Sequence, residues 1–332
     1  MRITLRSIAQ VAGLAISVVA IAIVVAQADP GATGAVLARA VPAPIVLAVA
    51  VLIAQLGVLA YRWRLLLPAD IEGRSVPYRV VTEALLVGNL ANALLPGRLG
   101  EVVRAVAVAR RGAVDTASSI GTVVLERVLD VVVLADAAFI GAVVAGAPSL
   151  LSDALAIIAL GGTVVIVLIV SGIAARVMDR LAAWAPPRLQ GERRASVLQW
   201  LARLVDGAHA GQRSGIVVVG LMATVASVLM DGVIFWAVGL SLDLPLEWSH
   251  ALLLASAGIL VTGIPSAPAN VGTFELAVAW VGMTLGIPTE SGLALALVAH
   301  LVIVVPLSFG GALVLLGSVR SANRPADIER RS

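Results

Sequence analysis

The chain reads as an all-α, polytopic helical membrane protein with six full spans, two re-entrant hairpins and an inverted repeat. Three observations predict this. Hydrophobic residues make up 60% of the sequence and charged residues 13%, with a mean hydropathy of +1.04, more apolar surface than a water-soluble core can hide. The apolar residues fall into runs long enough to cross a bilayer at about 1.5 Å per helical residue. Two of those runs, at 80–111 and 251–285, are interrupted by Pro and Gly in corresponding halves, the pattern of a transporter-type site.

The elements follow in order. Residues 8–27 form a first span; they are longer than a signal-peptide core and more spans follow, so the helix is expected to be retained although Ala26-Gln27-Ala28 resembles a cleavage site. Residues 42–59 give the second span, ending at Tyr61-Arg62-Trp63-Arg64, read as an interfacial anchor. The first hairpin, 80–111, has Pro96-Gly97 at its tip. Such broken backbone is tolerated at membrane depth only inside protein or beside a water-filled cavity. Spans at 119–146 and 154–174 complete a first half, 1–175. An Arg-rich connection, 176–213, carries a surface helix near 192–210. The second half, 214–332, holds a span at 214–240, the second hairpin at 251–285 and a last span at 291–317, so that 1–332 is one membrane domain.

Arginine placement orients this arrangement. With both termini cytoplasmic, the inside segments hold every Arg except Arg127, within a span, and Arg39, outside, while Asp243, Glu247 and Glu290 also gather outside. The two hairpins then enter from opposite faces, which makes the halves inverted. Glu101 precedes Glu126 by 25 residues and Glu275 precedes His300 by the same 25. All 23 basic residues are Arg, which fits a G+C-rich bacterial genome and hence a bacterial cell (inner) membrane. A net charge of +3 gives no nucleic-acid surface. The absence of Cys excludes disulfides and thiolate chemistry, and three dispersed His residues argue against a metal site; no cofactor is expected.

The candidate site lies where charge enters apolar sequence. Glu126, Arg127 and Asp130 sit within a span, where each ionised group costs about 3 kcal/mol unless paired. Arg127 and Asp130 are three apart and can pair, leaving Glu126 for Arg98 or Arg104; the network either receives a charged headgroup or locks hairpin to span. Arg98 and Glu101 open a half-helix whose free N–H groups favour an anion such as lipid phosphate, with Asn92 upstream. In the second break Asn270, Thr273 and Glu275 open another half-helix, with His300 opposite Glu275; that pair either carries a proton or closes the hairpin. Asp136 and Asp231 lie within spans with no partner evident, and Glu83 is read as solvated.

Asn89…Leu95-Pro96-Gly97-Arg98-Leu99-Gly100-Glu101, Arg104, Leu125-Glu126-Arg127-Val128-Leu129-Asp130 and Pro265…Asn270-Val271-Gly272-Thr273-Phe274-Glu275 resemble the lysylphosphatidylglycerol synthase transmembrane, or flippase-like, family. That family includes the membrane half of the multiple peptide resistance factor. The resemblance implies movement of a lipid between leaflets, aminoacylated in that case and tied to glycolipid or hopanoid pathways in others. Two departures stand out: the family carries a basic residue, often Arg, where this chain has His300, and no soluble acyltransferase-like domain follows the last span. Aminoacyl-lipid synthase activity is therefore not expected. The expected function is a lipid translocase or lipid-binding transporter for an anionic or glycosylated headgroup, with a phosphate-bearing membrane lipid as ligand. The alternatives are a membrane enzyme using Glu101, Glu126 or Asp130 as acid or base, or an accessory subunit of a lipid-modifying enzyme. Carboxylates and arginines without a nucleophile, metal motif or nucleotide loop are a thin catalytic set.

Overall fold

A computed structural model describes residues 5–69, 73–112, 114–170, 214–264 and 266–322. Among them are eleven α-helices and no strand: α1 Leu5–Gln27, α2 Pro30–Ala38, α3 Pro42–Leu66, α4 Tyr78–Leu94, α5 Gly100–Gly112, α6 Thr116–Val144, α7 Ser149–Val170, α8 Ser214–Ser241, α9 Trp248–Val261, α10 Thr273–Thr284 and α11 Thr289–Ala322. Of these, Pro42–Leu66, Val218–Ser241 and Thr289–Val319 are long and apolar enough to cross a membrane by length and composition alone. Leu, Ile and Val side chains such as Val18, Val46, Ile157, Val218 and Leu301 face outward, as lipid-facing surface requires. The protein is an all-α membrane protein.

Helix interfaces are made close by small residues. Ala48, Ala60, Ala135, Ala138, Ala251, Ala255, Ala294 and Ala299 are fully buried, and lean side chains let backbones approach where lipid offers no hydrophobic drive for association. Large anchors fill the remaining space: Phe235, Leu253, Leu254 and Phe274 in the main core, Trp63 and Leu85 in a second cluster under the first hairpin.

The packing partners follow an exchange rule. α3 packs on α8; α4 packs on α11 as α9 packs on α6; α4 on α5 as α9 on α10; α5 on α6 as α10 on α11. The unit α3–α6 therefore has a counterpart in α8–α11, each containing a helix–break–helix pair followed by a long helix. This architecture puts the two breaks side by side at the centre.

Both breaks rest on glycine. In the first, Gly97 takes φ 72° and Arg98 φ 56°. A Cβ on Gly100 would stand 2.0 Å from the Gly88 carbonyl oxygen and 2.5 Å from Asn92 Oδ1, so α4 and α5 meet backbone to backbone. In the second, Pro268–Asn270 forms a 3₁₀ turn with Ala269 and Asn270 at φ 57° and 60°. Left-handed backbone at Ala269 costs about 1 kcal/mol and persists only where surroundings enforce it. Gly272, at φ 90°, admits α1: a Cβ there would meet Ile21 Cγ1 at 2.7 Å.

The structure departs from sequence expectation in three places. The second span does not end at Leu59; α3 continues to Leu66, so Arg62 and Trp63 are buried rather than anchoring an interface, because charged partners on α6 receive Arg62. The short helix α2 fills the connection after α1, with Asp29 accepting from Gly31 N at 2.7 Å as its N-cap. Glu83 is not simply solvated but pairs with Arg79 at 2.7 Å and Arg111 at 2.6 Å. The helix expected near 192–210 lies outside the described residues.

Candidate functional site

Between the two helix–break–helix units lies a cavity of about 270 Å³, walled by α3, α4, α5, α6, α8, α9, α10 and α11 and by both breaks. Nine of the sequence-predicted site residues line it: Asn92, Arg98, Glu101, Arg104, Glu126, Arg127, Asp130, Asn270 and His300. Glu275 sits behind His300. Thr273 is turned away from the cavity; its hydroxyl donates to the Asn270 carbonyl at 3.0 Å and its side chain faces an apolar groove beside α1.

The charged side chains form one network. Glu126 is almost fully buried and accepts from Arg62 Nη2 at 3.0 Å and Arg104 Nη2 at 2.8 Å, one on each oxygen. Arg62 also donates to Asp130 at 2.5 Å and to Thr224 Oγ1 at 2.8 Å. The Arg104 guanidinium stacks 4.6 Å above the Trp63 ring, a cation–π contact, and Trp63 Nε1 donates to Thr122 Oγ1 at 3.0 Å. Arg127 Nε lies 2.9 Å from Glu101 Oε1 without hydrogen-bond alignment, and its Nη1 lies 3.4 Å from Asp130. Of the two partners offered to Glu126 by sequence, Arg104 takes it and Arg98 does not.

Arg98 is the least engaged member. Its Nε is 3.6 Å from Glu101 and buried without a hydrogen-bond partner. The network holds four guanidiniums, Arg62, Arg98, Arg104 and Arg127, against three carboxylates, Glu101, Glu126 and Asp130. The expected free amides at the start of α5 are partly consumed: Gly100 N–H donates to Asn92 Oδ1 at 2.8 Å and Glu101 N–H to the Arg98 carbonyl at 3.2 Å. Asn92 thus holds the break together while it lines the cavity.

The second break is more fully bonded. Glu275 Oε2 accepts from Gly272 N–H at 2.7 Å, and Oε1 contacts His300 Nδ1. His300 Nε2 donates to the Ala269 carbonyl at 2.8 Å. A carbonyl only accepts, so Nε2 carries a hydrogen, and the short Nδ1–carboxylate contact holds one proton between its ends. The pair is net neutral whichever end holds that proton. Asn270 Oδ1 accepts from Ser266 at 2.9 Å.

Two groups that sequence reasoning missed complete the walls. Arg62 was hidden by its place at the end of an apolar run, where arginine ordinarily snorkels; no local spacing relates it to Glu126, 64 positions away. Gln55 reaches across to α8, its Nε2 donating to Asp231 Oδ1 at 2.7 Å and meeting Ser227 O at 2.9 Å. The only signal for either was polarity in an apolar helix.

Residues 10–311 match the model of the lysylphosphatidylglycerol synthase TM region. The chain belongs to this family. It is also similar to a glycosyltransferase, AglD, of Haloferax volcanii, at 30% identity over 164 residues that cover 48% of this chain and 25% of that protein. The family assignment places the charged network and both breaks within a membrane region associated by name with lipid synthesis, and the chain spans only a fraction of the curated relative it matches.

Proposed function

We propose that this family member is a lipid translocase or lipid-binding transporter that draws the phosphate-bearing headgroup of a membrane lipid into the central cavity. The observation that carries the reading is the surplus guanidinium: four arginines meet three carboxylates in the network, and Arg98, which lines the cavity and is partly exposed, has only a 3.6 Å ion pair to Glu101. A phosphate oxygen in the cavity meets the exposed part of that guanidinium by a charge-assisted hydrogen bond. Recognition rests on guanidinium rather than on helix amides, since the first amides of α5 are occupied. The volume favours a small headgroup, because about 270 Å³ lies just below the roughly 300–1,000 Å³ of typical small-molecule sites.

In this reading the two broken units enter the bilayer from opposite sides, with both termini cytoplasmic. Cysteine substitutions at Gly31 and Glu247, both exposed, then label from outside, and those at Gly191 and Ser321 only from the cytoplasm; external labelling at Gly191 overturns the orientation. The similarity to a glycosyltransferase favours a second reading, a membrane part that accompanies a lipid-modifying enzyme. Catalysis within this cavity itself is disfavoured, as Glu126 and Asp130 are bound by arginines and Glu101 stands against Arg127 and Arg98.

Native mass spectrometry of purified protein tests the headgroup reading. Wild type is expected to retain phosphatidylglycerol over a neutral lipid of matched chains, with Arg98→Gln losing most of that preference and Arg79→Gln, far more exposed, losing little. Equal retention of both lipids by all three proteins sinks the headgroup reading. A retained lipid whose mass changes on incubation points to an enzyme instead.

A further inference from the structure

Asp231 stands apart from the arginine network. Only 9% exposed, it lies on α8 among the residues that line the cavity. Its Oδ1 accepts from Gln55 Nε2 at 2.7 Å, and among the described residues no side chain bonds Oδ2 and no cation stands within ion-pair distance. The helices packed on α8 supply nothing to neutralise it. From α3 come Gln55, which is neutral, and Arg62, already held by Glu126, Asp130 and Thr224. From α6 come Glu126 and Asp130, which are themselves acidic, and Arg127, placed against Glu101 and Asp130. From α11 comes His300, bound to Glu275 and Ala269. The one titratable group of α9 is His250, in its first turn at the other end from the break.

An ionised carboxylate so buried and without a counter-charge is costly, and such groups take up a proton instead. We propose that Asp231 is a proton-binding site whose occupancy sets the charge of the headgroup cavity, an inference that rests on the phosphate-headgroup reading for its second half. With Asp231 ionised, the lining has four guanidiniums and four carboxylates, Glu101, Glu126, Asp130 and Asp231, with the His300–Glu275 pair neutral. A proton from cavity water on Oδ2 turns the carboxylate into an acid and leaves one positive charge uncompensated. Anion binding and proton binding then favour each other, so anionic headgroups bind more tightly as pH falls. Gln55 donates to Oδ1 in either state, which leaves Oδ2 as the oxygen that takes the proton.

Two measurements on the full chain in nanodiscs separate the parts. Infrared difference spectra over an acid-to-neutral pH series are expected to show a carboxylic-acid C=O band that Asp231→Asn removes and Asp136→Asn leaves. Gln55→Leu should shift its frequency by stripping a donor from Oδ1, a check that survives if Asp231→Asn folds poorly. Phosphatidylglycerol retention relative to neutral lipid should fall with rising pH, by at most about tenfold per pH unit for one linked proton, and become pH-independent in Asp231→Asn. Absence of a band assigned to Asp231 overturns the proposal, as does pH dependence that persists in Asp231→Asn. An Asp231 band without any preference for anionic lipid, at any pH and in either protein, upholds the proton site and removes the headgroup reading.

Discussion

At the first break, Arg98 faces the cavity with Nε unbonded and Glu101 3.6 Å away; at the second, His300 has both ring nitrogens bonded, one to Glu275 and one to the Ala269 carbonyl. The two breaks occupy matching places in the exchanged packing scheme, and Glu101–Glu126 and Glu275–His300 share a spacing of 25 residues. The same backbone plan thus serves two purposes. One copy joins its Glu to an imidazole and closes locally. The other replaces that imidazole with Glu126, a second carboxylate, which calls in arginines from α3 and α5 and leaves one cation over. A net-neutral pair can be satisfied between one hairpin and the helix that follows it. A cluster of like charges has to be satisfied from several helices, and the surplus is what a ligand can use.

The comparison breaks most severely at Arg62. Arg62→Leu takes a partner from both Glu126 and Asp130, leaving them Arg104 and the more distant Arg127, and losing one partner of a buried ion pair costs about 3–5 kcal/mol. The expected outcome is a large fall in thermal stability or in the yield of monodisperse protein in detergent; wild-type stability would show that the network does not hold the helices. His300→Gln comes next. It removes the link between α11, Glu275 and Ala269, with an expected loss of about 1–3 kcal/mol for buried groups left without partners. Its effect should be local, seen as faster hydrogen exchange across 266–274 with unchanged lipid preference. If lipid preference changes while exchange does not, the second break is a ligand site and the contrast fails. The smallest effect on stability belongs to Arg98→Gln, whose native contacts are one long ion pair. Its melting temperature should stay near wild type while anionic-lipid retention drops, the reverse of the His300→Gln pattern.

The helical membrane fold and both breaks were legible in sequence because each is a local signal. Apolar length reveals a span, and Pro96-Gly97 or Pro265…Pro268 inside one reveals an interruption. The pairing of His300 with Glu275 was also within reach, since the matched spacing suggested it. What stayed hidden were side chains whose partners lie on other helices. Arg62 sits where an arginine would ordinarily reach for lipid phosphates, and only the extension of α3 to Leu66 carries it inside. Gln55 and Asp231 are 176 positions apart and meet because α3 packs on α8. The anion-binding amides expected at α5 were misjudged for a related reason: Asn92, eight residues upstream of Gly100, folds back to claim one of them.

The bare contact between Gly88 and Gly100 has a consequence for size. With no side chain between the arms, their separation is a backbone dimension, as fixed as a calliper closed on its stop. Arg104 follows Gly100 by one helical turn, and its Cβ lies against the position a Gly88 side chain would fill. The reach from Arg104 to Glu126, and with it the breadth of the cavity at that wall, is therefore gauged by two missing methyl groups. A single carbon restored at either glycine would re-dimension the chamber without touching any charge inside it.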